Sequence, residues 1–179
     1  MIVIAEEPRA WAADKRWSDT YLPELKRICG QYLIGAAPDR EDAERNTDLI
    51  VLTLAAVRIG CRVRRHSYLK RYGREFTIRA NRPSGAKSEL TKIIEGWGDY
   101  FLYAFANADE THLAAWSLCD LRVFRLWFNR FMFSNDGAMP GESQPNNDGS
   151  STFRAFRLDE LPTDFVLAAG GPEAGEGAT

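Results

Sequence analysis

Apolar and polar positions alternate with different periods along the chain. Leu22, Leu25, Cys29, Tyr32 and Leu33 recur at helical spacing after the N-cap cluster Ser18-Asp-Thr20. This predicts a helix over 20–33, with Gly35 just past its end. The run Leu49-Ile-Val-Leu-Thr-Leu54 is short, aliphatic and bounded by polar residues, which predicts a strand covered on both faces. Val57, Ile59, Cys61 and Val63 then alternate with Arg58, Gly60, Arg62 and Arg64, the mark of a half-buried strand with its arginines on one face. A turn near Ala55 would set Asp48 roughly opposite Arg62. Phe76-Thr-Ile78 predicts a third strand, Phe76 and Ile78 inward.

Leu90, Ile93, Ile94, Trp97, Phe101, Ala104 and Phe105 fit one broad apolar helix face, so the pattern predicts a long helix over 84–106. Ser84 is its expected N-cap, Trp97 to Phe105 its core stripe, and Gly96 and Gly98 points of close packing on a sheet. Residues 112–121 read as a strand and 122–133 as a short helix. The Asn-, Gly-, Pro- and Ser-rich run 134–151 reads as a mobile loop and 152–158 as an edge strand. Residues 163–169 pack on that strand or extend it, and 170–179 read as a disordered tail. Ile2-Val-Ile4 reads as an edge strand or an ordered arm, with Trp11 and Trp17 over the core. The sum is a single α/β (α+β) domain over 1–169. Its central mixed sheet has about four to five strands, with an N-terminal helix and one long helix packed on it.

Composition narrows the function classes. The 179 residues are 45% hydrophobic, enough for a sizeable core. The formal charge of −2 argues against a protein that coats DNA non-specifically. Locally the picture reverses: between Arg58 and Arg82 stand nine Arg or Lys and one carboxylate, Glu75. Cys29, Cys61 and Cys119 are widely spaced in apolar runs and form no CxxC pair. They read as reduced, buried thiols of a cytoplasmic protein, not as zinc ligands. The N-terminus lacks the basic region of a signal peptide, and no apolar run of about 18 residues predicts a membrane span.

The element order and three stretches carry a resemblance. They are Glu44-Arg-Asn-Thr-Asp48-Leu-Ile-Val, Cys61-Arg-Val-Arg64 and Lys87-Ser-Glu-Leu-Thr-Lys-Ile-Ile. Over roughly residues 18–121 the chain resembles the PD-(D/E)XK nuclease superfamily, with its restriction-endonuclease-like fold. The segment Asn147-Asp-Gly-Ser-Ser-Thr-Phe-Arg-Ala-Phe resembles parts of small phage proteins. The resemblance implies a divalent metal, usually Mg²⁺, held by a strand Asp and a Glu on the next strand, with a Lys two residues on. Asp48 then stands for the first ligand and Arg64 for the Lys. The Glu position falls on Arg62, a departure from the family pattern that repels a metal. Glu44 or Glu89 would have to supply the second carboxylate, beside Lys87 or Lys92.

Two functions follow. The first is a nuclease-fold protein that acts on DNA or RNA. Asp48, Glu44 or Glu89 would hold the metal, and Arg62, Arg64 and Lys87 the phosphate. Arg58, Arg62, Arg64, Arg79 and Arg82 would form the nucleic-acid surface, with Tyr68 and Tyr72 for stacking. The second is a non-catalytic, phage-encoded binding protein, for example an inhibitor of a host defence protein. A plainer reading stands beside both: Asp48 in a salt bridge with Arg62 or Arg64, Glu44 an exposed loop residue, and the arginines paired with Glu89, Glu95 and Asp99.

Overall fold

The run Tyr100-Phe-Leu-Tyr-Ala-Phe-Ala106 is apolar at every position, and burial on both of its faces organises the layers around it. The computed structural model describes residues 7–36, 49–51, 57–146 and 151–172. The order begins with α1 (Glu7–Asp19), α2 (Leu22–Leu33), β1 (Ile34–Ala36), β2 (Leu49–Val51) and β3 (Ile59–Arg64). A 3₁₀ turn (His66–Tyr68) runs into α3 (Leu69–Tyr72), followed by β4 (Glu75–Asn81), α4 (Glu89–Ile94), β5 (Tyr100–Ala106) and β6 (Leu113–Asp120). Then come α5 (Leu121–Ser134), β7 (Glu142–Pro145), β8 (Thr152–Arg157), a 3₁₀ turn (Leu158–Glu160) and β9 (Val166–Gly170).

The class is mixed α and β, as the pattern predicts. A four-stranded mixed sheet has the order β3-β5-β6-β9, with β3 and β5 parallel and the other pairs antiparallel. A second, antiparallel sheet has the order β4-β8-β7, and β1 pairs with β2. Side chains alternate on β5. Leu102 and Ala104 face a layer built from Tyr21, Leu25 and Ile28 of the α2 region. Phe101, Tyr103 and Phe105 face the other way, into a core shared with Phe76 and Ile78 of β4, Phe124 and Phe128 of α5, and Phe156 of β8. The small side chains thus lie toward the helix and the large rings between the sheets. Phe76 meets Phe101, Tyr103, Phe124 and Phe165 edge-on, with centroids 5.1–5.9 Å apart.

Several expectations need correction. No helix spans 84–106. Ser88, not Ser84, caps a short α4, its hydroxyl accepting from the Thr91 N–H, and the chain then turns and enters β5. The helix-like spacing arose because a strand buried on both faces is apolar throughout and fits any period. Gly96 and Gly98 adopt φ of +99° and +82°, so they make the turn between α4 and β5 and are not helix packing sites. Trp97, between them, is 59% exposed and lies outside the core. The run 134–151 contains β7, which makes β8 a central strand and not an edge. Residues 166–170 pair with β6, not with β8. Cys61 is exposed, and only Cys119 is fully buried.

α1 is a helix the pattern did not predict. Trp17, at its C-terminal end, donates from its indole N–H to Glu110 at 2.7 Å, and the Arg65 guanidinium lies over its ring. Ile2–Ile4 and the tail from residue 173 lie outside the described residues, as does the side chain of Trp11. Among the described residues no helix is long and apolar enough to cross a membrane.

Truncating a ring between the sheets and truncating the exposed tryptophan should separate cleanly. Phe76→Ala should lower unfolding free energy by about 3–5 kcal/mol, whereas Trp97→Ala should cost less than about 1 kcal/mol. Urea unfolding followed by circular dichroism measures both.

Candidate functional site

β3 brings two of the predicted residues, Arg62 and Arg64, to one place. Gly60, Arg62 and Arg64 share the face turned toward the second sheet. Gly60 is required there, because a Cβ would sit 2.7 Å from the Phe101 ring. Arg62 reaches the free edge of β4. Its Nη1 donates to the Thr77 carbonyl at 2.8 Å, and its Nη2 forms an ion pair with Glu89. Glu89 in turn accepts from the Arg79 backbone N–H at 3.2 Å. Thr77 and Arg79 are two residues apart, so both point away from β8. The Arg62–Glu89 pair therefore gives this edge one donor and one acceptor, as a neighbouring strand would. Both side chains are about one-quarter exposed.

Arg64 is enclosed as well. Its Nη1 donates to Thr77 Oγ1 and to Tyr103 Oη, both at 3.0 Å, and these two hydroxyls are 2.7 Å apart. Tyr68 and Tyr72 flank the guanidinium with ring centroids 4.5 and 4.6 Å away, a cation–π clamp on two sides. The two tyrosines expected to stack nucleic-acid bases flank a half-buried arginine in this structure.

The remaining predicted residues divide. Lys87 forms an ion pair with Glu95 at 2.7 Å. Arg82 has a buried Nε without a hydrogen-bond partner. Arg58 places its guanidinium 5.8 Å from the Trp97 ring centroid, and its backbone N–H donates to Asp99 at 2.8 Å. Asp48 and Glu44 lie outside the described residues. Among the described residues β2 pairs with β1, and β3 pairs with β5 in parallel; Asp48 and the turn near Ala55 that would set it opposite Arg62 lie outside them.

Of the three proposed metal ligands, only Glu89 is described, and its carboxylate is engaged by Arg62 and by the Arg79 N–H. A cationic guanidinium in that contact does not fit a divalent ion. Among the described residues, no group of three or more His, Cys, Asp or Glu could hold one. The nine-to-one basic excess is offset in part by the fold: Glu89 takes Arg62, Glu110 takes Arg65, and Asp99 accepts from the Arg58 backbone N–H at the start of β3. These carboxylates come from later in the chain and are invisible to a local count.

One carboxylate inside the basic stretch is poorly served. Glu75, at the start of β4, has a buried Oε2 with no hydrogen-bond partner. Burial, and next the nearby Glu142, raise its pKa above the ordinary glutamate value, and Arg71, Arg64 and Arg157 offset this only in part.

No protein-family model matches the sequence, and comparison with curated proteins and with solved structures likewise gives no match.

Two outcomes test this geometry. Arg62→Glu sets a second carboxylate against Glu89, and the loss of the pair should cost about 2–4 kcal/mol in urea unfolding. It should also raise the aggregation rate, because the β4 edge is uncovered. Glu75 gives a pH signature. Its folded pKa lies above the unfolded one, so stability falls as pH rises from the ordinary carboxylate range through the raised value. Glu75→Gln should flatten that decline and raise Tm at neutral pH, with little change at acid pH, as read by thermal melts across a pH series.

Proposed function

We propose that this chain is a non-catalytic binding protein whose partner is another protein. Trp97 carries the reading. Two left-handed glycines hold it 59% exposed on a turn, and Arg58 lies over its ring. Arg125 Nη1 fixes the turn from below by donating to the Gly98 carbonyl at 2.9 Å. Exposed Trp and Arg on a pre-organised support are the residue types that dominate binding energy at protein interfaces.

The engagement of Glu89 by Arg62 and the enclosure of Arg64 support a non-catalytic role over phosphodiester hydrolysis. Internal partners also engage two of the five arginines expected on a phosphate surface, Arg62 and Arg64, which weighs against that surface. An inhibitor of a host defence protein, the instance implied by the phage resemblance, is one form such a binding protein takes. Nucleic-acid binding is the second reading, favoured by the Trp97–Arg58 pair alone, since an exposed ring beside a guanidinium also suits base stacking.

Fluorescence anisotropy with labelled single- and double-stranded DNA and RNA, run across a salt series, separates the two. The expected result is no binding even at low salt, where phosphate contacts are strongest, and no cleavage with Mg²⁺ or Mn²⁺. Salt-dependent binding that Trp97→Ala weakens by about tenfold would replace the protein partner with a stacked strand. Metal-dependent cleavage abolished by Asp48→Asn would restore the nuclease.

A further inference from the structure

Three segments of the chain meet at the turn that carries Trp97. The Trp97 N–H donates to the Lys92 carbonyl at 3.0 Å, and the Asp99 N–H donates to the Arg58 carbonyl at 2.8 Å. Arg125, from α5, donates to the Gly98 carbonyl at 2.9 Å. Charged side chains from α4, the start of β3 and the start of α5 are thereby gathered around one exposed ring. Most of them cancel: Glu89 is taken by Arg62, Glu95 by Lys87, and Asp120 by Arg122. Arg58, Lys92 and Arg125 are left, and none of them has an ion-pair partner among the described residues. The carboxylate remaining at the turn is Asp99, which accepts from the Arg58 backbone N–H. Asp164 stands farther off, before β9, which β6 separates from β5. The turn therefore has a surplus of two positive charges, and Arg58 and Lys92 are both exposed.

We propose that the partner received at this turn presents a carboxylate-rich peptide segment, with an apolar side chain that covers Trp97. The inference rests on the reading of Trp97 as an interface anchor and adds the chemistry of what it binds. Unpaired cations around an exposed ring are complementary to an acidic strand or loop, and a guanidinium can meet a carboxylate through two parallel hydrogen bonds. The whole chain carries −2, so the positive sign belongs to this turn and not to the surface at large. A nucleic acid fits less well. Successive bases need successive rings, and Tyr68 and Tyr72, the other rings of the basic stretch, flank Arg64.

Selection from a random displayed-peptide library against the full chain tests it. Enriched peptides should carry Asp or Glu around an apolar residue. Labelled synthetic copies, titrated by fluorescence anisotropy, should bind more weakly as salt rises. Trp97→Ala should weaken them by about thirtyfold, and Arg58→Glu and Lys92→Glu by about tenfold each. Lys92 is exposed and unpaired, so its reversal should leave the thermal melt close to that of the original chain and read the charge alone. Peptides that need Trp97 but show no acidic enrichment, or that bind the Lys92→Glu chain equally well, would overturn this inference and leave the interface reading standing. Finding no peptide sensitive to Trp97→Ala would overturn both. A single-stranded DNA oligonucleotide that binds and is weakened by the same three substitutions, with no acidic peptide enriched, would assign the turn to nucleic acid and overturn the proposal.

Discussion

The ion pair between Arg62 and Glu89 joins three elements that are separated in sequence. It ties β3 in one sheet to α4 and, through the Thr77 carbonyl and the Arg79 N–H, to the edge of β4 in the other. An uncovered edge strand is a template for pairing with other chains, and folded proteins cover or charge such edges. Here two side chains take the place of a strand. An arginine at the position where the nuclease pattern would have a glutamate is therefore not merely a lost ligand. Its five donors allow it to meet a carboxylate and a carbonyl together, and a glutamate there could meet neither.

Around that contact the layers follow from side-chain size on β5. Large rings fill the space between the two sheets, and small or aliphatic side chains allow α2 close approach on the opposite face. Arg64 extends the same logic into the polar margin of the aromatic core. Its charge is accommodated by two hydroxyls and two ring faces, without a carboxylate partner among its hydrogen bonds. α5 closes the ring layer, with Asp120 as its cap. Burial tends to raise the Asp120 pKa, but hydrogen bonds from the Arg122 side chain and backbone outweigh this and hold it below the ordinary value.

What could be read in the sequence was set by the range of the forces involved. The helix over 20–33, the strand near Phe76, the helix over 122–133 and the strand over 152–158 each have a one-sided apolar period, and each forms close to its expected bounds. β5 was mistaken for a helix because both of its faces are buried and no polar position breaks the period. α1 was missed because its best-defined ties, from Trp17 to Glu110 and to Arg65, are to residues distant in sequence. The site shows the same division. Alternation along β3 identified which arginines share a face. It could not say what they face, because Thr77, Glu89 and Tyr103 arrive by tertiary folding. Pairing of the arginines with Glu89 was one of two readings the residues allowed, and the geometry selects it for Arg62.

The second sheet has a consequence in time. β4 leaves the ribosome well before β8 and is bracketed by β3 and β5, yet β8 is its hydrogen-bonded partner. During synthesis the four-stranded sheet also lacks its last strand, but β3, β5 and β6 can already pair. β4 has no strand to join until β8 has been made. Arg62 and Glu89 are both present by then, and they can cover one side of the waiting strand while the other side remains open for β8. The contact that seals an edge in the finished molecule thus also restricts which edge the nascent chain presents, at the stage when late, non-local pairing leaves it most exposed to misassembly.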